Sequence, residues 1–71
     1  MMTAAQLLEG AEKLRAEIGM HRISTLAIGN VILNAEAWGH GRRASMSRSA
    51  TEKALQNMLE QIENKSLKFR S

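Results

Sequence analysis

The sequence predicts a small all-α domain of three helices, at about residues 3–18, 24–38 and 48–65, on three observations. Apolar residues recur at three- and four-residue intervals in the two outer segments. Both of those segments open on a Ser or Thr followed three residues later by Gln or Glu, the capping-box signature. Proline is absent from all 71 residues, so nothing interrupts a helix.

The first helix starts at Thr3, whose hydroxyl can cap the first turn while Gln6 reaches back. Ala4, Leu7, Leu8, Ala11, Leu14 and Ile18 then form one stripe, with Gly10 on the polar side. Gly19 is placed to end the helix in the left-handed conformation. The middle segment reads two ways. As a helix from Ser24 or Thr25 to Gly39 it carries Ala27, Val31, Ala35 and Trp38 on one side, and its other apolar residues require neighbours all round. As an α+β alternative, residues 22–37 hold a β-hairpin turning at Gly29-Asn30, or a single strand. The run Ala-Glu-Ala-Trp and the terminal Gly favour the helix. The third helix is capped by Ser49 with Glu52, and Ala54, Leu55, Met58, Leu59 and Ile62 follow at helical spacing. Residues 1–66 read as one helical domain and 67–71 as a basic tail, in which Leu67 and Phe69 can fold back or touch a partner.

A 7.9 kDa chain has room for one core and none for a separate substrate cavity, so the expected role is binding rather than catalysis. No cysteine supplies a disulfide or thiolate ligand, and only one Trp and one Phe are present. Self-association is the remaining way to enlarge a small core, and a homodimer is expected, with Trp38, Leu7, Leu14, Leu55, Met58 and Ile62 as its interface. The opening residues have neither a basic leader nor a long apolar run, so no secretory signal, no membrane and a cytoplasmic location are expected. His21 and His40 lack metal-ligand spacing, and Gly39 and Gly41 match no nucleotide fingerprint, so no metal and no cofactor are expected.

The net charge of +3 is unevenly placed. Residues 20–49 carry Arg22, Arg42, Arg43 and Arg48 against Glu36 alone, and the stretch GHGRRASMSRS at 39–49 holds no acid. Arginines crowding the start of the third helix oppose its dipole and suit an anion, for which open amides, the hydroxyls of Ser45, Ser47 and Ser49 and the guanidinium groups would converge. The expected partner is DNA, gripped through phosphate at Arg42, Arg43 and Arg48, with Arg22 extending the patch, and the expected function is that of a transcriptional regulator or accessory factor. The competing expectation is a protein that docks on the acidic surface of a protein partner, as an inhibitor, antitoxin-like factor or assembly chaperone.

The segment MSRSATEKALQNMLEQI is similar to the start of the second helix of ribbon-helix-helix DNA-binding proteins. That resemblance implies HRISTLA as a strand that pairs between two chains and enters the major groove, and GNVILNAEAW as the first helix. In this chain an additional helical segment precedes the strand candidate, and the connection to the last helix is several residues longer than in that family. The run Arg-Arg-Ala-Ser-Met also resembles the target of basophilic Ser/Thr kinases, which would make Ser45 the acceptor.

Overall fold

The computed structural model describes residues 1–20 and 26–64. It contains three helices, α1 (Ala4–Gly19), α2 (Leu26–Gly39) and α3 (Arg48–Glu63), and no strand among the described residues. The three-helix expectation is met. The hairpin is overturned, because Gly29 and Asn30 lie inside α2, where Gly29 is backed by open space rather than a turn. Leu26 and Ala27, the end of the strand candidate, are also helical. The remainder of that strand, Arg22, the expected α2 start at 24, the end of the domain at 66 and the tail at 67–71 lie outside the described residues.

Helix α1 begins as its cap dictates, with Gln6 N donating to Thr3 Oγ1 at 3.1 Å and Thr3 N donating to Gln6 Oε1 at 2.9 Å. Leu7, Ala11 and Leu14 are fully buried by their spacing, whereas Ala4 is exposed. Two readings of α1 need correction. Gly19 stays helical, and Met20 closes the end with ordinary negative φ. Gly10 is buried, because α3 approaches so closely that a β-carbon there would lie 2.9 Å from Leu55 Cδ2 and 3.1 Å from Leu59 Cδ1.

Helices α1 and α2 are antiparallel and pack at a second glycine: a β-carbon at Gly39 would sit 2.6 Å from Leu8 Cγ. Arg15 clasps Glu36 across this pair, Nη2 lying 2.8 Å from each carboxylate oxygen. Ile28, Val31, Ile32 and Ala35 fill the core from α2, but Leu26 and Leu33 are 88% and 63% exposed, so this helix is open on one side instead of enclosed. Helix α3 runs parallel to α1, from Arg48 beside Met2 to Ile62 beside Ala16, and contributes fully buried Leu55 and Thr51. Leu7, Leu14 and Leu55 have no surface left for a second chain, which corrects their assignment to a dimer interface: packing within one chain consumes them. Met58, Ile62 and Trp38 are half-buried against the same core.

Candidate nucleic-acid interface

Helix α2 ends in a tight cap that sets the course of the basic loop. Gly41 adopts φ +73°, Gly41 N donates to Trp38 O at 3.0 Å and Arg42 N donates to Ala37 O at 2.8 Å. These are the two bonds of a Schellman motif, and glycine is favoured at its left-handed position. The loop is fastened again at 45–47 by side chains of α2. Asn34, 3% exposed, accepts from Met46 N at 2.8 Å and from Ser45 Oγ at 3.4 Å, and donates to Asn30 O at 2.7 Å. Trp38 Nε1 donates to Met46 O at 2.9 Å, so the indole holds the loop as well as packing on the core. Between these two anchors Arg42 and Arg43 are exposed, and neither side chain forms a hydrogen bond or ion pair among the described residues.

Arg48 has another role. Its Nη2 donates to Met2 O at 2.8 Å and its Nε to Glu52 Oε2 at 3.0 Å, tying the start of α3 to the segment before α1. The guanidinium expected to grip phosphate is therefore engaged by the fold through Nε and Nη2, because the carbonyl of buried Met2 and a nearly buried carboxylate converge on it, while 40% of the side chain stays exposed. The cap also differs from expectation. Ser47, rather than Ser49, accepts from Ala50 N at 3.1 Å, and Glu52 turns to Arg48 instead of completing a capping box. Ser49 is exposed in the first turn, Ser47 is occupied by the cap, and Ser45 faces Asn34.

One end of the bundle thus gathers the N-termini of α1 and α3 with the C-terminal cap of α2 and its two exposed arginines. Neither α1 nor α3 has an acid in its first turn, so their dipoles add to the arginine charge without local neutralisation. The acid nearest in sequence, Glu36, is already engaged by Arg15. The roles of Asn34, Glu52 and Met2 go beyond what the spacing of residues indicates. An asparagine pair at 30 and 34 inside an otherwise apolar helix is the available signal for the first. Among the described residues no group of His, Cys, Asp or Glu could hold a metal ion, and no helix is long and apolar enough to cross a membrane. Comparison with family models, with curated proteins and with solved structures gave no match.

Proposed function

We propose that the protein binds DNA through its phosphates, with Arg42 and Arg43 as the gripping residues, and acts as a small regulator or accessory factor. The observation that carries this reading is a pair of exposed arginines, without a partner among the described residues, on a doubly anchored loop at the end of the bundle where two helix N-termini meet. The anchoring matters energetically. A loop already fixed by Asn34 and Trp38 loses little further freedom when its arginines close on phosphate oxygens. Contacts of this kind position a protein on a duplex without reading its sequence. Arg48 is left out of the interface, and Ser49 can add its hydroxyl beside the open first-turn amides of α3.

Titration of a fluorescent random duplex at several salt concentrations tests the proposal. Each phosphate contact contributes a slope of about −0.9 in log K against log salt, so two arginines give roughly −2 per protomer. Absence of binding at low salt, or binding with no salt dependence, overturns it.

A second reading rests on a separate observation. Leu26 and Leu33, 88% and 63% exposed, share the outer side of α2. Single exposed leucines are ordinary, but two on one helix face suit a protein partner or a second copy of this chain. With Leu7, Leu14 and Leu55 spent in the core, this exposed face is open to a homodimer contact. A partner captured from extract that survives nuclease treatment favours docking over DNA binding.

A further inference from the structure

Glycine weakens the interior of a helix relative to alanine, so a helical glycine calls for a neighbour that needs its space. Two glycines of this chain have one. Leu55 of α3 lies against Gly10, and Leu8 of α1 lies against Gly39, each so close that a β-carbon would meet the leucine. Gly19 and Gly29 have nothing within 4 Å of the β-carbon position among the described residues. Gly19 ends α1, but Gly29 lies inside α2, with no such neighbour among the described residues of its own chain.

Beside Gly29 is a hollow of about 250 Å³ on the surface between α1 and α2, lined by Arg15, Ile18, Gly29, Ile32 and Leu33. Leu33 stands four residues on, on the same side of the helix, and is 63% exposed. One face therefore carries a protruding leucine and an apolar hollow one turn apart. A two-fold rotation that sets two such faces antiparallel brings each leucine to the other's hollow at once, which is the self-complementarity of an isologous dimer. Charge permits the approach. Arg15 is offset by Glu36 of its own chain, so two copies meet without like-charge repulsion, and antiparallel helices place each N-terminus beside the other's C-terminus.

We propose that a second copy of this chain covers this face, the two α2 helices lying antiparallel about a two-fold axis with Leu33 of each copy packed on Gly29 of the other. The pair repeats between chains the leucine-on-glycine contact that α1 makes with α2 and with α3 inside one. It rests on the open α2 face of the second reading above and takes nothing from the arginine loop, so either proposal can fail alone. The contact spans a single helix about 21 Å long, short of the roughly 800 Å² per partner of a standard interface, which makes the dimer weak and concentration-dependent.

The test is made without DNA on the full chain, from about 10 μM to about 1 mM, by sedimentation equilibrium and by NMR of equal parts isotope-labelled and unlabelled protein. The mass should rise from one chain towards two, with nuclear Overhauser effects between Leu33 methyls and Gly29 α-protons of different chains. Gly29→Ala fills the hollow and should weaken the dimer about tenfold or more while stabilising the helix of the single chain, so its effect is not one of misfolding. Leu33→Ser should leave a folded single chain. A single-chain mass at about 1 mM overturns the proposal, as does a dimer whose contacts between chains avoid Leu33, or a Gly29→Ala dimer as tight as the original.

Discussion

Asn34 is the residue on which the geometry of the basic loop depends, and its replacement has calculable consequences. The carboxamide is 3% exposed and both its ends are used: the oxygen accepts from Met46 N at 2.8 Å and the nitrogen donates to Asn30 O at 2.7 Å. In Asn34→Ala two such bonds are lost at about 1 kcal/mol each, and the Met46 N–H is left without its partner at about 1–3 kcal/mol, giving a loss of roughly 3–5 kcal/mol. Asn34→Asp separates the two ends of the group. Its oxygen still accepts from Met46 N, but a carboxylate oxygen now faces the Asn30 carbonyl, a contact only the protonated acid satisfies. The folded pKa of the new carboxyl is therefore raised above its unfolded value. The deficit relative to the unsubstituted chain is small below the unfolded pKa, near 3.9, and grows as pH rises through the folded one. Urea unfolding of both variants at about pH 4 and about pH 7 reads this directly. A deficit in Asn34→Asp that does not increase with pH, or an Asn34→Ala chain within about 0.5 kcal/mol of the original, contradicts the bonding pattern.

Three glycines should respond differently to alanine. Gly29→Ala meets open space within α2 and should gain about 1 kcal/mol, raising Tm by roughly 4–8 °C. Gly10→Ala forces a methyl to within 2.9 Å of Leu55 Cδ2, and Gly39→Ala one to within 2.6 Å of Leu8 Cγ. Each should lose about 1–3 kcal/mol of packing, which outweighs the helical gain, and a rise in Tm for either refutes the close approach. Arg48→Ala should cost about 1–2 kcal/mol in chemical denaturation, since Glu52 and Met2 O lose their donor at a side chain that is partly screened by solvent. Its duplex affinity at a fixed low salt concentration should change less than about twofold, because its Nε and Nη2 are held by Glu52 and Met2 O, which leaves Arg42 and Arg43 as the proposed phosphate contacts. A large affinity loss without a stability loss would return Arg48 to the interface.

The elements are legible wherever the signal is local. Thr3 with Gln6, the apolar stripe of α1 and the absence of proline act within a few residues of one another, and the helices they indicate are present. The α3 cap lies two residues before the expected one because Ser47-Arg48-Ser49 offers two hydroxyls, and the choice between them turns on Arg48 capturing Glu52 one turn on. Longer-range facts leave no trace in spacing. Gly10 looks like a solvent-facing weakness until α3 arrives against it, and Arg48 looks like a free cation until Met2, 46 residues away in sequence, presents its carbonyl. Arg42 and Arg43 read as exposed charge, and the structure leaves them exposed. The rigidity of the loop that carries them comes from Asn34 and Trp38, whose polar atoms reach the loop from an otherwise apolar helix.

The salt dependence of duplex binding for the full chain and for Arg42→Ala/Arg43→Ala tests the proposed function most directly. If these two guanidinium groups contact phosphate, the double substitution lowers the magnitude of the log-log slope by roughly 2 per protomer, leaves Tm within a few degrees and weakens binding most at low salt. An unchanged slope and affinity, with the fold intact, would show that these arginines are only a solvated loop.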